Sequence, residues 1–171
     1  SDWSSDVCSS DLLTFPLWQQ CKISYSTSGA SIPADARTVS IDYFQNRAPI
    51  VVPNLSTTFT ESLKDKFISQ TSLDLINGKG DLHFEGEIID YNTQPINIQG
   101  NERAAQNRLT IAVKVTFINQ KAPKFNFENQ TFSRYADYSS TQELSAVENQ
   151  LIDEIVEQLV QDIFNKSVVN W

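Results

Sequence analysis

Between Ser140 and Phe164 the sequence carries two adjacent apolar stripes, and they restrict the fold more than any other stretch. Val147, Leu151, Ile155, Leu159 and Ile163 recur every fourth residue, and Ile152, Val156, Val160 and Phe164 form the neighbouring row. That period is helical, and two rows side by side make a broad apolar face. A face this wide buries itself best by lying flat on a sheet. Glu148, Asp153, Glu154, Glu157 and Asp162 take the opposite side and read as a solvated acidic face. Ser140-Thr-Gln-Glu143 has capping-box spacing and predicts where the helix opens.

A second strand-and-helix unit precedes it. Val39, Ile41 and Tyr43 alternate with Ser40, Asp42 and Phe44, the period-two pattern of a strand. Pro49 and Pro53 stop any simple continuation, and from Leu55 the apolar residues Phe59, Leu63 and Phe67 follow at four-residue steps. Asn54, Ser56 or Thr58 can each cap this helix. Thr71–Ile76 suits either a short strand or a helix exit, and Asn77-Gly78-Lys79-Gly80 is a turn.

Residues 81–90 alternate again, with Leu82, Phe84, Gly86 and Ile88 against His83, Glu85, Glu87 and Ile89. Pro95 then marks a bulge or an edge position, and Gln99–Glu102 is a hairpin tip. The return strand, 107–118, has the cleanest pattern: Leu109, Ile111, Val113, Val115 and Phe117 on one side, Arg108, Thr110, Ala112, Lys114 and Thr116 on the other. Phe125, Phe127 and Phe132 in the last strand do not share a parity, which predicts a bulge or break near Glu128–Gln130.

The order β-α-β-β-β-α places the first two strands in parallel and the rest in an antiparallel meander. The expectation is an α+β two-layer sandwich, with two helices on one face of a mixed sheet of about four strands. The 171 residues, 40% of them apolar, suffice for one domain with its own core, expected over 37–171. No stretch reaches the roughly 18 apolar residues that cross a bilayer as a helix. A net charge of −8 without any basic run argues against nucleic acid.

Residues 1–20 read as a non-native or remnant leader: they lack a basic start, and Leu12–Trp18 is their only apolar patch. Residues 21–36, rich in Ser, read as a tether. Of the two cysteines, Cys8 falls in the leader and Cys21 at its junction with the tether. Cys21 is therefore the candidate for lipid attachment, although Gln19 and Gln20 are not the small residues that usually precede an acylated cysteine.

No catalytic constellation can be assembled. His83, the one histidine, has neither a cysteine nor a second histidine at metal-ligand spacing, and reads as a solvated or satisfied side chain. Glu85 and Glu87 share a strand face about 7 Å apart, with nothing beside them to support acid–base work. Phosphate loops, dinucleotide fingerprints and nucleophile elbows are absent. The expectation is a protein without enzymatic activity, cofactor or metal.

Whole stretches of the chain resemble the LptE family of outer-membrane lipoproteins in lipopolysaccharide assembly, in its Bacteroidetes form. They are Cys21 with Ile23-Ser24-Tyr25, then SGASIPADARTVSIDYFQNRAP (28–49), LSTTFTESLKDKF (55–67) and GDLHFEGEI (80–88). AAQNRLTIAVKV (104–115), FSRYAD (132–137) and ENQLIDEIVEQLVQDIFNKSVVNW (148–171) continue the likeness. The resemblance implies a plug inside an LptD-type β-barrel, anchored to the outer membrane on its periplasmic side through Cys21. Such a plug helps the barrel assemble and helps pass lipopolysaccharide to the outer leaflet. The uncovered strand face then becomes the candidate lipopolysaccharide site, with Arg108 and Lys114, extended by Arg103 at the hairpin tip and by Arg134 where register allows. Two other readings stay open: a cone-shaped α+β domain that binds or transforms a small ligand, and a surface lipoprotein adaptor unrelated to lipopolysaccharide.

Overall fold

A computed structural model of the protein describes residues 35–96 and 105–169. The elements run β1 (Thr38–Ile41), β2 (Gln45–Asn46), α1 (Leu55–Gln70), β3 (Asp74–Leu75), β4 (Leu82–Ile96), β5 (Gln106–Asn119), β6 (Phe127–Ser139) and α2 (Leu144–Phe164). A 3₁₀ turn at Pro123–Phe125 precedes β6, and a π turn, Asn165–Val169, extends α2. The sheet has the order β3-β1-β4-β5-β6, with β2 also on β4. β1, β2 and β3 join in parallel, whereas β4, β5 and β6 form an antiparallel meander. The α+β class and the strand directions agree with the sequence pattern. The strand count does not: the sheet has six strands rather than about four. The two additional ones are two residues each: β2 is too short to leave a period-two signal, and β3 settles the Thr71–Ile76 segment as a strand and not a helix exit.

Both helices bury the stripes that defined them. Leu55, Phe59, Leu63 and Phe67 on α1 are fully buried, as are Ile155, Leu159 and Ile163 on α2. They meet Leu82, Phe84, Ile88, Leu109, Ile111, Val113, Val115 and Phe117 from the sheet. Aromatic rings stitch the layers together. Phe67 of α1 lies 4.8 Å from Phe84 and 5.2 Å from Phe164, and Phe84 lies 4.6 Å from Phe117. These centroid separations fall within the favourable range for aromatic pairs.

Bulges decide which residues face the core. Ile41 is opposite Phe84 while Gln45 is opposite Glu87, so the first edge spends four residues where β4 spends three. The extra residue reverses the alternation. Tyr43, expected beside Val39 and Ile41, is exposed, and Phe44 is buried instead, 4.9 Å from Phe59. Thr60 on α1 accepts the Phe44 N–H at 3.1 Å. In β4 the register shifts between Ile88 and Asp90, whereas Pro95 pairs with Asn107 without a shift. The break expected near Glu128–Gln130 is present: register shifts between Val115 and Phe117, and Asn129 takes a positive φ of 50°. Phe127 and Phe132 thereby reach the same face despite their opposite parity.

The capping box does not form. α2 begins at Leu144 behind Glu143, which makes no side-chain cap. Ser140 instead donates its N–H to the Ala105 carbonyl, and Gln142 donates to that of Ser139, so these residues close β6. α1 likewise starts after Asn54 without a side-chain cap. No helix among the described residues is long and apolar enough to cross a membrane. The leader, Cys21, most of the tether and the hairpin tip with Arg103 lie outside the described residues.

Candidate functional site

With the helices on one side, the other sheet face is left to polar residues. In β5 Arg108, Thr110, Lys114 and Thr116 are half-buried on it, and Ala112 is buried. Antiparallel register places Asp137 beside Arg108, Tyr135 beside Thr110, and Glu87 beside Lys114. Each cation holds a carboxylate. Arg108 donates from Nε and Nη2 to both oxygens of Asp137, at 2.7 and 2.9 Å, and its guanidinium stacks 3.6 Å from the Tyr135 ring centre. Lys114 Nζ lies 2.7 Å from Glu87 Oε1. The hydrogen bond from Arg108 holds the Asp137 carboxyl below its usual pKa, and that from Lys114 does the same for Glu87.

Arg134 does not belong to this strip. Its register partner is Ile111, so it emerges on the helix side of the sheet, where it forks onto Asp162 of α2. Glu148 also turns out to be engaged: Tyr91, buried in β4, donates its hydroxyl to it at 2.6 Å. Burial, and then this hydrogen bond, raise the Tyr91 pKa well above that of an ordinary tyrosine. Two of the five carboxylates expected to be solvated on α2 are thus tied to the sheet.

At the opposite end of the same face His83 is not alone. Parallel pairing sets it beside Ser40, whose Oγ lies 2.7 Å from Nδ1. Its Nε2 faces Asp42 Oδ2 at 3.7 Å and Glu85 Oε2 at 3.9 Å. The residue is only 7% exposed although it stands on the uncovered face. Nearby, Asp81 Oδ2 accepts from Arg37 N, Thr38 N and Thr38 Oγ1 at 2.9–3.1 Å, with Lys121 Nζ 3.3 Å from Oδ1. The Arg37 backbone N–H leads in holding its pKa down to about 2, with the two Thr38 donors and Lys121 adding to it against some burial. Asp42 escaped the sequence reading because nothing local announces the parallel register. Asp137 and Tyr135 were in principle legible, since they alternate with Ala136 across β6.

Two grooves lie on the helix side, about 360 and 410 Å³ in volume. Arg134, Gln158 and Asp162 line the first, Ser62, Lys66 and Asp153 the second, and neither includes His83 or Glu85.

Fold and surface together define a class: a two-layer α+β domain that presents an open, ion-paired sheet face among its described residues. The family model of LptE, lipopolysaccharide-assembly, matches residues 36–167, and the chain belongs to that family. Comparison with curated protein sequences gives no match. Among solved structures the fold is similar to that of a putative neuraminyllactose-binding hemagglutinin homolog from Helicobacter pylori. Identity there is 10%, over 84% of this chain and 89% of that one, with a TM-score of 0.52. It is also similar to that of the hypothetical protein CT253 from Chlamydia trachomatis, at 11% identity over 77% and 98% and a TM-score of 0.51. Uncharacterized lipoprotein B from Nitrosomonas europaea aligns at 15% identity over 82% and 86%, with a TM-score of 0.47.

Proposed function

We propose that this protein is a non-enzymatic outer-membrane lipoprotein, attached through Cys21 on the periplasmic side, that plugs and helps assemble an LptD-type β-barrel. In that position it assists the transfer of lipopolysaccharide to the outer leaflet. The observation that carries the reading is the family match over 36–167. The character of the surface supports it. A sheet face of Thr, Asn, Gln and paired charges suits the polar, water-filled interior of a large barrel better than it suits an apolar interface.

The same face supplies the lipopolysaccharide contact in this reading. Arg108 uses Nε and Nη2 on Asp137, and its remaining N–H groups stay available to a phosphate. Lys114 stands on the same strand and face three pairs further along, and Arg103, outside the described residues, is a further cation that this reading assigns to the contact. Long-range attraction of an anionic glycolipid to a chain of charge −8 is unfavourable, but screening confines that repulsion to about 8 Å at physiological salt.

Isolation of the lipidated protein from its own outer membrane tests the proposal. A large β-barrel is expected with it in one-to-one ratio, and its absence under conditions that preserve other barrel complexes refutes the plug. Arg108→Ala with Lys114→Ala should lower lipopolysaccharide binding by the purified protein without lowering its melting temperature. Undiminished binding by that folded variant removes the strip while leaving the barrel partnership standing.

A further inference from the structure

The cluster around His83 has no part in that reading. We propose that Asp42, His83 and Glu85 form a site for one divalent transition-metal ion of the zinc type. The three side chains offer one nitrogen and two carboxylate oxygens, all within 4.8 Å of one another. A tetrahedral zinc with bonds of about 2.0–2.2 Å needs its donors roughly 3.3 Å apart. The observed 3.7 and 3.9 Å separations from His83 Nε2 are too long for hydrogen bonds and slightly too long for coordination. Closing them falls to Asp42 and Glu85, whose side chains are 57% and 52% exposed and free to rotate. His83 supplies the fixed point.

What fixes it is Ser40. The Ser40 Oγ accepts the Gly80 N–H at 3.0 Å and lies 2.7 Å from His83 Nδ1 and 3.4 Å from the Leu82 carbonyl. With the hydroxyl proton turned to Leu82, Nδ1–H donates to Ser40 and the Nε2 lone pair points at the carboxylates. That is the tautomer a metal requires, held by an outer hydrogen bond of the kind that orients ligating histidines. Charge also fits. Neutral imidazole and two carboxylates balance a divalent ion, and neither carboxylate is paired with a lysine or arginine among the described residues. An imidazole in the set favours zinc and its neighbours over calcium and magnesium, which prefer oxygen alone. Three protein ligands leave a fourth position for water or a partner's donor. Asp42 opens the bulge after β1 whereas His83 and Glu85 stand on β4, so a bound ion clasps the two strands together.

The 171-residue chain, freed of metal by chelation, is titrated with zinc chloride by calorimetry and melted with and without it. One zinc per chain and a raised melting temperature are expected, with magnesium and calcium at the same concentration giving neither. Asp42→Asn and Glu85→Gln change exposed groups, keep the circular dichroism of the parent, and should each weaken zinc binding at least about tenfold. Ser40→Ala, which removes no ligand, should weaken it about 10–100-fold. Failure to bind zinc one-to-one overturns the proposal. So does unchanged affinity in Asp42→Asn and Glu85→Gln, the result expected if Cys8 and Cys21 hold the ion instead.

Discussion

Gly86 offers the sharpest test of how the sheet is packed. It faces the helices in β4 between Phe84 and Ile88, a position where propensity alone favours replacement: glycine inside a strand costs about 0.5–1 kcal/mol relative to alanine. Its φ lies outside the left-handed region, so backbone strain does not oppose the change either. Space does. A Cβ built there enters the van der Waals shell of the Lys114 carbonyl oxygen and lies 2.6 Å from Phe44 Cε1. The ring is wedged over the glycine by the same bulge that turns Tyr43 outward, and the carbonyl belongs to β5. A flexible side chain can yield, but backbone in the middle of the β4–β5 ladder cannot shift without lengthening hydrogen bonds on both sides. Overpacking of a close-packed core costs about 1–3 kcal/mol, and a clash with backbone belongs at the upper end. Gly86→Ala should therefore destabilise by about 3 kcal/mol, against a gain of under about 1 from propensity. At about 2–4 °C per kcal/mol for a chain of this size, the melting temperature should fall by roughly 10 °C. Urea unfolding followed by circular dichroism measures the free-energy loss, and a thermal melt the shift in temperature. Adding Phe44→Leu relieves only one of the two contacts, so the double variant should recover only part of the loss. A Gly86→Ala protein as stable as the parent, or more stable, refutes the packing described.

Two further perturbations follow from the same structure. Ile155→Ala on α2 empties a fully buried position and should cost about 2–5 kcal/mol in urea unfolding; a loss below about 0.5 kcal/mol would mean that this helix face is not packed on the sheet. Asp81, with its folded pKa near 2 against 3.8 as a free side chain, binds fewer protons folded than unfolded between those values. Its contribution is complete above about pH 4 and disappears as pH falls toward 2, so Asp81→Asn should flatten the loss of stability in that window, measured by urea midpoints at successive pH. An unchanged acid limb would show that the Arg37 and Thr38 donors do not discriminate between the charged and neutral carboxyl.

How much of this was legible beforehand divides along one physical line. The existence and type of the long elements could be read from residues alone, because a buried face leaves its period in the chain. Leu55, Phe59, Leu63 and Phe67 announced α1, the double row from Val147 to Phe164 announced α2, and Leu109 to Phe117 announced β5. The break near Glu128–Gln130 was legible for the same reason, since two phenylalanines of opposite parity cannot otherwise share a face. Family membership was legible too, being carried by whole stretches of sequence. Tertiary structure decided what depends on partners distant in the chain. β2 exists only because a parallel neighbour offers hydrogen bonds to two residues, and the same kind of pairing made a strand of the Thr71–Ile76 segment, for which the residues alone allowed a helix exit. The bulge after Ile41 exchanged Tyr43 for Phe44 in the core, and the register of β6 sent Arg134 to the helix side, away from Arg108 and Lys114. Parallel pairing of β1 with β4 brought Ser40 and Asp42 to a histidine more than forty positions away. A strand's side-chain period is two, so a single inserted residue reverses every face beyond it, and where such an insertion falls is set by packing across the sheet rather than by local sequence.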